Sequence, residues 1–290
     1  MRWYDVHVDP IEIRKFAILA LFSDDFLMSV LVLKGGNALN LIYRVGARSS
    51  LDIDLSLGDD FRDEAEARDR IFHVLTTRFG MENYSVIDLR FQRRPHENAG
   101  ALASHWGGYE VRFKVIPTAL LRSLASEPGR ASRQADEVGP MHQRTFCIQI
   151  SKGEYCVAKQ VVEFADHIIP VYTPALIAIE KLRAICQQMP EYKFRTHPTA
   201  RARDFYDIHA IATEMGIDLA IPENLDLARL VFAAKDVPLL LIPRIGDYRE
   251  FHRQEWSAVQ DAVTGTVEAF DFYFEFVVAQ TKRLEALWAV

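Results

Sequence analysis

Polar and apolar residues alternate without a break over residues 51–57. Successive side chains of a strand point to opposite faces, so Leu51, Ile53, Leu55 and Leu57 take one side and Asp52, Asp54 and Ser56 the other. The same period of two predicts strands at 84–92, 109–116 and 145–151. The first two carry opposed charges on their polar sides and read as an antiparallel pair. On the third, Phe146, Ile148 and Ile150 oppose Cys147, Gln149 and Ser151. A short apolar run at 31–33 predicts a buried strand.

Elsewhere the period is helical. Residues 10–22 form one helix, with Ile11, Phe16, Ile18 and Leu19 turned inward; 62–79 form another, ended by Gly80. Thr173-Pro174 is an N-cap followed by a first-turn proline, and opens a helix to about 187. Its buried stripe is Leu176, Ile179, Leu182 and Ile185, with Lys181 and Arg183 off it. Residues 200–215 form a further helix stopped by Gly216. Beyond Pro222 the chain is mainly helical, and the crowded Phe270, Phe272, Tyr273, Phe274 and Phe276 read as helix packing. Strand texture gives way to helix around 155–170, which divides the chain into a core of 1–160 and a mainly helical 161–290. The fold class is α/β (α+β): a mixed or antiparallel sheet with flanking helices and a helical C-terminal region.

Composition narrows the picture. The chain has 290 residues and a formal charge of −6, so any contact with RNA needs a local basic patch. Cys147, Cys156 and Cys186 form no C-x-x-C pair, which suits free thiols and the cytoplasm. No signal-peptide pattern opens the chain, and Ser23, Asp24 and Asp25 interrupt the apolar run at 16–33, so no membrane span is expected.

The candidate chemistry lies between Lys34 and Asp54. Gly35-Gly36 follows the first strand and lets the backbone turn sharply and approach a ligand. From Asn37 the apolar positions Ala38, Leu41, Ile42 and Val45 take helical spacing as far as Gly46. The N-terminus of that helix, with Lys34 beside it and Arg48 near, suits a phosphate. Asp52 and Asp54 share a strand face and repel one another, which a divalent cation offsets. Mg²⁺ (or Mn²⁺) prefers such oxygen ligands together with substrate phosphates. The same letters also fit an ordinary amphipathic strand with solvated aspartates.

The run GG-N-x₁₄-D-x-D resembles the signature of the polymerase-β-like nucleotidyltransferases. The fuller LKGGNAL with R-S-S-x-D-I-D-L resembles the AbiEii/AbiGii branch, toxins of type IV toxin–antitoxin systems. Distal matches are E-K-L-R-A, around Lys181, and R-D-x-x-D, around Asp204 and Asp207. The resemblance implies transfer of a nucleoside monophosphate from an NTP to an acceptor such as tRNA, with a cognate antitoxin as partner. It implies metal ligation by Asp52 and Asp54 and catalytic roles for these, Lys181 and Asp204. Nucleotide or phosphate contacts fall to Lys34, Gly35, Gly36, Asn37, Arg48, Ser50, Lys181, Arg183 and Asp207. Relatives often carry a third carboxylate on a strand matching 145–151; here the matching position is Gln149, an amide that cannot act as a base. Asp204 is the candidate to replace it, while Asp207 anchors Arg203 or a helix end. Transfer to a small molecule such as an antibiotic, and a nucleotide-binding module without turnover, are alternatives.

Two linkers mix cations with aromatics, a composition suited to a nucleic-acid strand and equally to a surface loop. One is 93–108, with Arg93, Arg94, His96, His105 and Trp106; the other is 188–199, with Tyr192, Lys193, Phe194, Arg195 and His197.

Overall fold

The computed structural model describes residues 9–48, 50–94, 107–124, 128–139, 142–194 and 197–289. Its centre is a seven-stranded mixed sheet in the order β3-β4-β5-β2-β1-β7-β6. The strands are β1 (Leu31–Lys34), β2 (Ile53–Leu57), β3 (Tyr84–Arg94), β4 (Gly108–Pro117), β5 (Phe146–Ser151), β6 (Lys159–Phe164) and β7 (His167–Tyr172). β1 runs antiparallel to β2 and parallel to β7, and β2 is parallel to β5. The expected β3–β4 antiparallel pair is present.

One face of the sheet is covered by α1 (Pro10–Phe22) and α4 (Glu64–Met81). Phe79 of α4 meets Phe113 of β4 at 5.9 Å between ring centroids, and Phe113 stacks on Phe146 of β5. In α1 the inward residues include Ile13, Ala17, Ile18 and Leu21, whereas Ile11 is 45% exposed, contrary to expectation. Between them α2 (Asp25–Val30), a segment of no clear period, is capped by the Asp24 carboxylate accepting from Leu27 N at 2.9 Å.

The opposite face carries the polar side of β2 and β5, over which the C-terminal helices close. These include α7 (Pro174–Cys186), capped as expected by Thr173, and α8 (Ala202–Glu214). In α9 (Phe270–Arg283), Phe270, Tyr273 and Phe274 are buried against α8 through Phe205 and Tyr206.

The expected change of texture at 155–170 is corrected. Residues 159–172 form the β6–β7 hairpin of the same sheet, so helix takes over only after Tyr172, and a division at 160 would cut that sheet. The hairpin escaped notice because β6 is an edge strand with Val161 exposed, and β7 carries Pro170 and a run of apolar residues rather than an alternation. Among the described residues of 118–134 are two short helices, α5 (Thr118–Ser123) and α6 (Pro128–Gln134). Tyr192 is a core residue, 2% exposed, whose hydroxyl donates to the Lys235 carbonyl at 2.9 Å; it is not a stacking platform. His96, His105, Trp106 and Arg195 lie outside the described residues. The three cysteines are free, and among the described residues no helix is long and apolar enough to cross a membrane.

Candidate active site

The bend after β1 is built by close approach. Gly35 sits at φ +69, and a Cβ there would lie 2.4 Å from Asp54 Oδ2. A Cβ on Gly36 would lie 2.6 Å from Ser50 Cβ and 3.1 Å from an Arg48 guanidinium nitrogen. Only glycine fits at either place. The helix after the bend begins at Gly35 itself as α3 (Gly35–Asn37) and widens into π-type turns over Ala38–Tyr43. It ends at Arg44, left-handed at φ 55, rather than at Gly46.

Asp52 and Asp54 come together on the open sheet face. Asp54 is in register with Lys34 of β1 and Gln149 of β5, and Gln149 in turn with Glu110 of β4. Asp52 precedes the regular part of β2, and its Oδ2 accepts from the Gln149 amide at 3.2 Å. Asn37 donates to the Asp52 carbonyl at 2.5 Å, and Ser50 Oγ to the same carbonyl at 3.4 Å. Both therefore help fix the strand entry, and Ser50 lines the cavity as well. Desolvation raises both carboxylates above their ordinary range. For Asp52 the Arg203 charge opposes this and Glu110 adds to it; for Asp54 Lys34 opposes and Asp52 adds.

Two buried charge networks form the far wall. In the first, Asp207 of α8 receives the Arg48 guanidinium as a fork, Nε at 3.2 Å and Nη2 at 2.8 Å. Lys181 Nζ of α7 lies 2.7 Å from Asp207 and 3.0 Å from Asp204, and Arg201 Nε 2.6 Å from Asp204. Burial alone would lower Lys181, but Asp204 and Asp207 outweigh it and hold the ammonium charged. Burial would likewise raise Asp204; Arg201, Lys181 and Arg203 outweigh it and keep it well below the usual carboxylate range. In the second network Glu154 lies 3.7 Å from Lys34, 2.9 Å from Arg183 and 3.6 Å from Lys235, and Glu180 3.3 Å from Lys34 and Arg183.

Three expectations change here. Lys181 and Arg183 are not off the buried stripe: they are 5% and 2% exposed, because carboxylates await them inside. Arg183, expected among the phosphate contacts, lines the cavity already paired with Glu154 and Glu180 and donating to the Val231 carbonyl. Asp207 anchors Arg48 and Lys181, and Arg203 instead stands exposed at the cleft.

The loop carrying Arg48 is held by the C-terminal half. Gly46 N donates to Glu214 at 3.1 Å, Ala47 N to the Tyr206 hydroxyl at 3.1 Å, and Thr264 N to the Ala47 carbonyl at 2.9 Å. Between the sheet and these helices lies a cavity of about 770 Å³ that Gly35, Gly36, Ser50, Asp52, Asp54 and Lys181 line together. Residues more than a hundred positions apart thus close on one space.

The family profile described as the AbiEii toxin, a nucleotidyl transferase of type IV toxin–antitoxin systems, matches residues 17–276. The chain belongs to this family. It is accordingly a nucleotidyltransferase. A crystal structure described as that of a "putative nucleotidyltransferase from H. pylori" is similar at 14% identity and a TM-score of 0.48, over 96% of this chain and 93% of that one. No curated protein matches significantly.

For an AbiEii nucleotidyl transferase the open side of the cavity has a notable donor set. Among the described residues no group of three or more His, Cys, Asp or Glu side chains is arranged around a metal position. Two carboxylates with an amide at Gln149 remain. Hard oxygen donors in a desolvated, mutually repelling pair fit Mg²⁺ or Mn²⁺, whose other ligands would come from substrate and water. Cys147 adjoins this pair, and burial together with the Asp52 charge pushes its thiol up to about 12, so it is no nucleophile at neutral pH.

Proposed function

We propose that this AbiEii-type enzyme transfers a nucleoside monophosphate from an NTP to an RNA acceptor, most simply tRNA, in a metal-dependent reaction, and that a cognate antitoxin restrains it. The observation that carries the reading is the meeting of Asp52 and Asp54 with the Gly35-Gly36 bend and Lys181 around one cavity.

Asp52 and Asp54 would hold Mg²⁺ or Mn²⁺, which supplies neutralisation of the polyphosphate charge and alignment of the displacement when bound. The bare backbone at Gly35 and Gly36 lets the polyphosphate approach the strand carboxylates. Lys181 supplies a fixed positive charge on the opposite wall, where charge grows on the leaving group. The acceptor hydroxyl oxygen forms a bond to the α-phosphorus, the α–β bridge breaks, and pyrophosphate departs. The hydroxyl proton leaves to water at the open side of the cleft, since Asp52 and Asp54 are taken up with the cation. Asp204 is not the base: tied to Lys181 and Arg201 and held well below the usual range, it positions Lys181.

Incubation with labelled NTPs, Mg²⁺ and total RNA tests the reading. Wild type is expected to label small RNA, and Asp52→Ala to leave it unlabelled. Equal labelling by the two, or a label found only on a small-molecule acceptor, overturns it.

A further inference from the structure

The cations around the cavity are not equivalent. Lys34, Arg48, Lys181, Arg183, Arg201 and Lys235 all line it, and each is ion-paired to a carboxylate of the protein. Arg203 lines it as well, is exposed, and alone among these has no ion pair or hydrogen bond within the described residues. A helix turns about 100° per residue, so the burial of Asp204 in the wall sends its neighbour Arg203 to the rim. There its charge acts on Asp52, Asp54 and Asp204 together, which puts it within electrostatic reach of both walls of the cleft.

A triphosphate entering this space meets two desolvated aspartates and cations already matched by carboxylates. The matched cations can give up little: drawing Lys181 or Arg48 toward a ligand would strand Asp204 or Asp207, both nearly inaccessible to solvent. An uncommitted guanidinium carries no such penalty, and its planar fork suits two phosphate oxygens at once.

Resting on the nucleotidyl-transfer reading above, we infer that Arg203 is the cleft's phosphate-receiving residue, and that it grips the β- and γ-phosphates of the incoming NTP. The paired cations shape the wall; Arg203 discriminates a triphosphate from a monophosphate. The sequence alone conceals this, because Arg203 and Asp207 stand four apart on a helix and read as a local ion pair.

Calorimetry on the full chain with Mg²⁺ tests it, using the four α,β-methylene NTP analogues, the corresponding monophosphates, and tRNA as a separate titrant. Arg203→Ala is expected to weaken triphosphate binding by about 10- to 100-fold, the range for losing a charged hydrogen-bond partner. Monophosphate and tRNA binding and the melting temperature should hold, and Arg203→Lys should fall between. Triphosphate binding by Arg203→Ala as tight as wild type, or a loss confined to tRNA, overturns the inference while leaving nucleotidyl transfer standing. Absence of triphosphate binding by wild type overturns both.

Discussion

At the residue scale the site is defined by what cannot be substituted. Gly35 combines a left-handed backbone with a Cβ position 2.4 Å from Asp54 Oδ2. Gly35→Ala therefore has two costs, backbone strain and displacement of a carboxylate, and is expected to abolish transfer while lowering stability by about 1–3 kcal/mol. Assay of the purified variant beside its melting curve checks both. Asp54 makes the opposite case. Its pKa is raised, so its ionised form is less at home in the folded chain than in the unfolded one, and the charge destabilises the fold at neutral pH. Asp54→Asn should lose activity yet melt above wild type. A melting temperature below wild type would contradict this.

At the scale of elements, α8 is a clamp as much as a wall. Its Asp207 joins the Arg48 loop to Lys181 of α7, and its Tyr206 and Glu214 receive backbone N–H groups from the same loop. The Asp207 carboxylate is 4% exposed, so removing it leaves Arg48 and Lys181 short of a buried counter-charge. Asp207→Ala is expected to destabilise by about 3–5 kcal/mol. Combining it with Arg48→Ala should cost less than the sum of the two single changes, because their ion pair is lost only once. Chemical denaturation of the two single variants and the double variant reads this coupling, and simple additivity would refute it.

For the whole molecule the relevant variable is pH. Glu154 is buried among Arg183, Lys34 and Lys235, which outweigh desolvation and bring it from 4.5 to about 2. A carboxylate depressed on folding stabilises in full above its unfolded value and loses that contribution as pH falls through the folded one. The network joining β1, the segment after β5, and α7 should therefore weaken between about pH 4.5 and 2, with Asp204 and Asp207 acting in the same direction. Glu154→Gln should be less stable than wild type at pH 7, with the gap narrowing steadily as the pH is lowered over that window. Melting curves at stepped pH test it; a constant gap would exclude Glu154 as the cause.

The sequence by itself determined the local chemistry. The alternation at 51–57, the two glycines after a strand and the Thr173-Pro174 helix start rest on short-range rules of backbone geometry, whereas Lys181 and Asp204 stood out only through the family resemblance; Gly35, Gly36, Asp52, Asp54, Lys181 and Asp204 line one cavity. The β6–β7 hairpin stayed hidden because an edge strand and a proline-bearing run lack a period to read. Which charge meets which was settled only in three dimensions. Ion pairing depends on distance through space, and Arg48 finds Asp207 across 159 positions, while Arg203, four residues away, does not. That choice, invisible along the chain, separates the cations paired in the wall from Arg203, which among the described residues lining the cleft is left without an ion pair.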